Sequence, residues 1–573
     1  MRRILLIIAG AVVTLMVIAG VVPQRDDRDV ITPMVPGADR YQQGKIFLER
    51  ADRLSTRPGT DYQILTGDVV FRKNDMFMYC DSAHFYDITN SLEAFGNVRM
   101  EQGDTLFVYA DELVYTDSLQ LAVLYADNGK NVRLINRDVT LTTTIFNYDL
   151  GIDLGYYEVG GTLTDAKNRL TSLYGEYAPP TNEANFRTDV HLESIGESDT
   201  LNIYTEDLYY NTQSHVALMN VPSVIVNKDG KIFTDSAAYN TETSYADLYR
   251  RSIVVTRNNN TLVGDTLIYD RQIGYGEAFG NVIMTDSVKK VMLLGDYGFY
   301  NELTDSAFVT GRALAKEYSQ GDTLHLHADT IRLFTVIIPS TEEIVDSITR
   351  IIPADTTHHM VAAHRVKFYR TDLQGICDSM TFIQRDSMLY MDRHPIVWSD
   401  NRQIFGNIIQ VHLNDSTVDY ALLPEFGFMA EEIEEGFYQQ LTGKEMLAHF
   451  TDGHLTQLDV SGNVEAISLP MENDSTYNKM ATLETSFMVA HFAGNALERI
   501  KTWPETTSTI VPLYLAKRAQ LYLPQFKWYA PLRPTGPEDV FIISEEFLEL
   551  MKEPDPAPKS RSDRKNISRS PNL

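Results

Sequence analysis

A tyrosine returns about every thirty residues through the first half of this chain. Tyr86, Tyr115, Tyr148, Tyr177, Tyr210, Tyr239, Tyr269 and Tyr300 are separated by 29, 33, 29, 33, 29, 30 and 31 residues. Most close one phrase: an alternating apolar run, a small residue, an acid, and the aromatic four residues after the acid. Val108 to Tyr115 and Leu262 to Tyr269 carry it in full, and Ile203 to Tyr210, Ile232 to Tyr239 and Leu293 to Tyr300 are variants. Near Tyr148 and Tyr177, Thr144 and Leu173 stand where the acid is expected. A fixed period of this size belongs to repeat architectures, in which each unit completes its core against its neighbours.

A second element is in phase with the first. Gly-Asn followed by a β-branched residue occurs at Gly96, Gly280, Gly406 and Gly462, and the glycine trails an acid by 15 residues from Asp81 to Gly96 and from Asp265 to Gly280. Gly-Asn reaches positive φ at little cost before the chain re-enters a strand. Between these marks run short Val-, Ile-, Leu-, Tyr- and Thr-rich alternations broken by Asn, Asp, Gly and Ser, the signature of strands and turns. A unit therefore reads strand, turn, strand, turn, with one apolar face.

The stretch from Phe95 to Tyr115, with Gly96-Asn97-Val98, an apolar strand, a turn at Gly103-Asp104 and then Ala110-Asp111 before the aromatic, resembles the repeat of the OstA/LptA-like periplasmic lipopolysaccharide-transport family. Val366 to Ser379, His394 to Trp398 and Phe437 to Gly443 resemble the long OstA-like proteins of Bacteroidetes-type bacteria. The resemblance spans about 61–500. It implies an all-β fold, a repetitive antiparallel β-jellyroll whose two sheets open as a V around an apolar groove. It also implies that lipopolysaccharide is carried toward the outer membrane with its acyl chains inside. The partners implied are lipopolysaccharide and other jellyroll bridge proteins, the latter joined by pairing of exposed edge strands. The chain is longer than the minimal member of that family and has a possible anchor that the soluble bridge lacks.

The groove would have to be apolar and continuous, because each methylene exposed to water costs about 0.8 kcal/mol and a chain of a dozen roughly 10 kcal/mol. The alternating positions before the acid and after Gly-Asn supply the expected lining: Met78, Val98, Met100, Leu106, Val108, Ile203, Ile232, Leu262, Val282, Met284, Leu293 and Leu326. Methionine suits a surface that adapts to varied chains. Packed sheets ordinarily fill the gap between them with their own side chains, so the same residues also read as closed core.

The remaining features bound the organisation. An uncharged apolar run from Ile4 to Val22 follows Arg2-Arg3, so residues 1–22 are expected to be a signal peptide or a membrane anchor that places the body outside the cytoplasm. The expected sequel is a linker at 23–60, repeats at 61–335, an insertion loop at 336–360, and repeats again at 361–502. A proline-punctuated region with a short helix follows at 503–552, and a disordered tail at 553–573. The formal charge of −28, from 50 basic and 78 acidic residues, argues against nucleic acid, which needs clustered cations, and against adsorption to an anionic membrane surface. The basic pairs Arg250-Arg251 and Lys289-Lys290 read as isolated. Two cysteines, Cys80 and Cys377, without a CxxC, give no redox or zinc motif. The acids Asp81, Asp111, Asp235, Asp265, Asp296 and Asp329 come one per unit, too sparse for calcium, and suit turn or edge positions. His325 and His327 lack a third ligand nearby. No catalytic motif occurs, so no enzyme activity and no cofactor are expected. The rival readings are a structural β-repeat scaffold of the cell envelope and a polysaccharide-active β-helix enzyme.

Overall fold

The computed structural model describes residues 44–552, apart from positions 128, 197–198, 320, 346–347, 353, 415–416, 472–475 and 494–495. The apolar run at 4–22 and the tail at 553–573 lie outside the described residues. No helix of the described residues is long and apolar enough to cross a membrane.

Long bent strands organise the fold. Gln63–Lys73, Met76–Tyr86, Ser91–Gln102 and Leu106–Thr116 pair antiparallel in succession, and at each step the register slips at a bulge midway along. Beyond the bend the two halves of a strand belong to different sheets. The second half of Leu106–Thr116 pairs with Leu121–Tyr125, and its first half pairs with Val132–Asn136. Two ladders then run side by side. The front one passes through Ile145–Asp149, Leu154–Tyr157 and Tyr174–Ala178. The rear one passes through Val139–Thr143, Gly161–Thr164 and Asn168–Ser172. Both rejoin on the two halves of Glu183–Ile195. The cycle repeats. The ladders part at Thr200–Asn211 and rejoin at Tyr275–Asp286, part at Val291–Asn301 and rejoin at Asp355–Arg370, then part at Leu373–Ile383 and rejoin at His454–Ser468. The long strands are cross-ties between two stacked antiparallel sheets, with a continuous apolar core between the sheets.

The two phased sequence elements meet at the bends. Gly96 and Asn97 (φ 75° and 47°), Gly280 and Asn281 (72° and 45°) and Gly462 and Asn463 (76° and 50°) are consecutive left-handed residues. A Cβ on Gly96 would fall 2.5 Å from Asp81 Oδ2, and one on Gly280 would fall 2.8 Å from Asp265 Oδ2. Asn97 Nδ2 donates to Asp81 at 2.8 Å and Asn281 Nδ2 to Asp265 at 2.7 Å. The Asn281 amide and the Arg251 guanidinium hold the Asp265 carboxyl below its usual range. The repeated acid is thus a corner residue. Gly406 differs: it ends a strand without positive φ, and is small because a Cβ would strike the Phe426 carbonyl at 2.5 Å.

Three expected boundaries move. Phe47–Arg50 and Arg53–Thr56, inside the expected linker, pair with the two halves of Gln63–Lys73 and close the first edge. The expected loop at 336–360 is mostly strand. Thr330–Ile338 continues the front ladder against Asp355–Arg370, and Thr341–Val345 with Ile348–Ile352 forms a separate hairpin. Apolar alternation there outweighs Pro339 and Pro353, which suggest a loop. Ala496–Pro512 is a long last strand against Lys479–Ala493, and the helix is confined to Glu545–Lys552.

From Leu513 to Lys552 the chain turns back as a strap across the outer face of the rear sheet. Buried glutamines hold it by its backbone. Gln440 Nε2 donates to Leu521 O and its Oε1 accepts from Leu523 N, both at 2.8 Å. Gln403 does the same for Lys527 O at 2.9 Å and Tyr529 N at 2.7 Å. Gln374 Oε1 accepts from Arg533 Nε at 2.8 Å. Beneath the strap, Ile376, Ile396, Trp398, Phe405 and Phe428 meet Leu532, Phe547 and Leu550 in a second apolar core. Both faces of the rear sheet are therefore apolar here, as in any sheet covered on both sides.

Candidate functional site

The turns within each ladder lie along the edge opposite the bends, and the crossings from one ladder to the other lie at the bends, so the seam between the sheets has a closed spine and a mouth with two lips. The repeated tyrosines stand just inside the front lip. On the front sheet they form one row of cross-strand neighbours that alternates tyrosine with a small residue: Tyr115, Ala122, Tyr148, Gly155, Tyr177, Ala184, Tyr210, Ala217, Tyr239, Ala246, Tyr269, Gly276, Tyr300, Ala307. Directly opposed side chains are about 5 Å apart, so a small residue between two rings leaves each ring room to lie flat and reach the rear sheet. Tyr86 is one position out of the row, where Phe85 pairs with Leu92.

The hydroxyls join the lips. Asn136 of the rear sheet donates to Tyr177 Oη at 2.8 Å. Tyr210 donates to Asp165 Oδ2 and accepts from Asn168 Nδ2, both at 2.7 Å. Tyr115 donates to Asp117 at 2.8 Å, and Lys73, fully buried on the rear sheet, donates to the same carboxylate oxygen at 2.8 Å. Farther along, Arg271 of the front lip holds Asp229 at 2.8 Å and also Asp199, both of the rear lip. Burial pushes the phenols of Tyr115, Tyr148, Tyr177, Tyr210 and Tyr269 above their usual range. The mouth of the first half is latched by buried polar bonds between facing turns.

Past Ala307 the same row reads Leu333, Met360, Phe382, Leu389 and Val411, with no hydroxyl. The latch ends there, and the seam loosens toward its mouth. Leu333, Met360, Leu389, Val411 and Ala448 on the front sheet and Leu324, Leu373, Val397, Ile404 and Met429 on the rear sheet face inward but are only half-buried. Nearer the spine, Val366, Cys377, Met391 and Ile409 are fully packed. The second half is therefore tight at the spine and open toward the lips.

The twelve residues expected to line a groove all lie between the sheets. Met78, Val98, Met100, Leu106, Val108, Ile203, Ile232, Leu262, Val282, Met284 and Leu293 belong to the latched half and Leu326 to the looser half; none is more than 8% exposed. The half-buried positions of the second half were not among them, because the unit that located the twelve fades after Tyr300. Alternation around Met360 and Ile404 is visible in the sequence, but their openness depends on what faces them. Asn136, Asp165 and Asn168 read as turn residues, and nothing local marks them as partners of tyrosines some forty positions away.

Cys80 and Cys377 are separate free thiols, and burial pushes Cys80 up to about 12. His327 turns Nδ1 to the Ala313 carbonyl at 2.7 Å and packs against Phe541 of the strap. Among the described residues no group of three or more His, Cys, Asp or Glu is placed to hold a metal ion. No curated protein matches the chain. Residues 43–198, which hold the first bends and the start of the tyrosine row, match the family model described as OstA-like protein, and the chain thus carries an OstA-like domain.

Proposed function

We propose that this protein is a periplasmic carrier that takes the acyl chains of lipopolysaccharide between its two sheets and passes them toward the outer membrane. The observation that carries the reading is the pair of facing aliphatic rows, Leu333 to Ala448 and Leu324 to Met429, left half-buried in the unlatched half of the seam. An apolar surface held open between two sheets is costly in water unless something covers it, and an alkyl chain is a close chemical match. The OstA-like domain supports the transport class. On this reading the protein has no catalytic role, and the apolar run at 4–22 either anchors it or is removed after export. The strand Ala496–Pro512 is paired with Lys479–Ala493 and carries the exposed side chains Leu497, Ile500 and Ile510. Its other edge offers a template for the next protein of a bridge.

One observation favours a second reading, a structural repeat protein of the envelope: the first half is a closed and latched core. A photoreactive residue placed in turn at Met360, Ile404, Val98 and the outward Arg332 separates the two. The carrier reading expects lipopolysaccharide captured at Met360 and Ile404, none at Arg332, and capture at Val98 only when the latch is weakened. Failure at Met360 and Ile404, or equal capture at Arg332, overturns it in favour of the scaffold.

A further inference from the structure

The outer face of the rear sheet carries one unbroken row of neighbours. Val224, Phe233, Ile253, Val263, Ile283 and Leu294 follow each other across successive strands, and the row continues through Leu314 and His327 to Lys367 and Ile376. The strap covers the later part: Phe541 packs on His327, and Lys367 Nζ donates to Ile542 O at 2.5 Å. The cover reaches about as far as Leu314, which is buried. Beyond it the face is bare, with Phe233 at 41% and Ile253 at 40% exposure. An apolar sheet face that is covered in one half and bare in the other is an interface without its partner.

Charge identifies the partner. Between 224 and 317 the chain has ten Lys and Arg and twelve Asp and Glu, but they are sorted by side. Lys228, Lys231, Arg257, Lys289, Lys290 and Lys316 border the bare row along the rear lip. Arg250 and Arg251 border it at the bends that lead into the rear sheet, and Arg312 stacks on Phe541 where the strap ends. Of the ten, Arg271 alone belongs to the front lip. Six of the acids, Glu242, Asp247, Asp270, Glu277, Glu302 and Asp305, lie on the front sheet and its turns; the other six, Asp229, Asp235, Asp265, Asp286, Asp296 and Glu317, lie along the rear lip and the bends, where the nine cations outnumber them. Lys228, Lys231, Arg250, Arg257 and Lys290 are in no ion pair with the described residues. Val288, at the tip between Ser287 and Lys289, is 79% exposed. The basic pairs that look isolated in the sequence are brought to one face by the fold.

We infer that this face of the rear sheet docks on an anionic lipid leaflet. An apolar surface with a cationic border is the pattern of interfacial membrane binding: the side chains enter the headgroup boundary and the cations meet lipid phosphates. The acidic front sheet, repelled by the same leaflet, is left facing water. This surface lies outside the seam, so the inference stands or falls independently of acyl-chain carriage.

The buried native cysteines permit the test. The full chain is given a cysteine at Ile253 or, as the control, at Asp247 on the front sheet, and is labelled with an environment-sensitive nitrobenzoxadiazole dye. It is then mixed with vesicles of phosphatidylcholine alone or with about one-third phosphatidylglycerol. The dye at 253 should brighten several-fold and shift blue on the anionic vesicles, with little change at 247. The triple variant Lys231→Glu, Lys289→Glu, Lys290→Glu should lower partitioning about tenfold or more. Equal responses at 253 and 247 would mean that the rest of the chain brings the protein to the vesicle, and would overturn the inference. A response at 253 that is equal on neutral vesicles, or unchanged in the triple variant, would overturn it too.

Discussion

Tyr210→Phe removes a single oxygen from the centre of the latch. In the native seam that hydroxyl donates to the Asp165 carboxylate and accepts from the Asn168 amide, both at 2.7 Å, and the residue is fully buried. A hydrogen bond to a charged group contributes about 1.5–3 kcal/mol, while the Asn168 amide keeps the Asp165 carboxylate at 3.0 Å when the hydroxyl is removed. Asp165 is only half-buried and regains some water, so the expected cost is about 2–3 kcal/mol, or roughly a 30- to 150-fold rise in the opening equilibrium. Tyr177→Phe breaks a bond from a neutral amide, Asn136, and should cost only about 1 kcal/mol. The assay is amide hydrogen exchange across Thr200–Asn211 and its neighbour Glu183–Ile195, read beside the thermal midpoint. Exchange should quicken in that block while the strap keeps its protection. If Tyr210→Phe left the rates within twofold of the parent, or if Tyr177→Phe were the more damaging change, the hydroxyls would not be holding the lips.

Other expectations follow from single sites. Burial alone would raise the Asp117 carboxyl, but donors from Lys73, Asn90 and Tyr115 bring it below its usual 3.8. Its folded value lies under its unfolded one, so its contribution is complete above about pH 5 and is lost as pH falls through the folded value. Urea midpoints between about pH 2 and 6 should show this loss, and Lys73→Met should reduce it. Gly280→Ala places a methyl 2.8 Å from Asp265 Oδ2 at φ 72° and should cost about 2 kcal/mol by denaturant unfolding. Gln403→Leu removes the amide that binds Lys527 O and Tyr529 N beneath the strap. It should cost about 2–3 kcal/mol and speed limited proteolysis within 513–545, with the sheets left intact.

Much of this architecture is legible in the chain because the repeating parts are local. Acid, tyrosine and Gly-Asn each announce a strand position, and the 15-residue offset from Asp81 to Gly96 is the distance around one hairpin. What could not be read is whatever depends on facing partners. Asn168 gives no sign that it will meet Tyr210, since the two are joined only after the ladders have separated and stacked. The strap was hidden for a similar reason. Trp398, Phe405 and Phe428 make both faces of their strands apolar, a visible sign of a second layer, but the layer itself comes from more than a hundred residues away. The open half of the seam escaped because openness is a property of the gap between two rows, and no single residue encodes a gap.

The cross-ties carry a consequence for how such a molecule changes length. Between one pair of bent strands and the next, each ladder pairs its strands only with its own neighbours and with the tie at either end, so the backbone pairing of every bay is closed in itself. Bays differ in depth: the ladders between Val291–Asn301 and Asp355–Arg370 are shorter than those on either side. Reach can thus be adjusted in steps of two strands per sheet, near 10 Å each, by adding or removing one strand pair in each ladder of a bay, with the spine undisturbed. A protein assembled this way can be refitted to a wider or narrower gap by copying a stretch of its own gene.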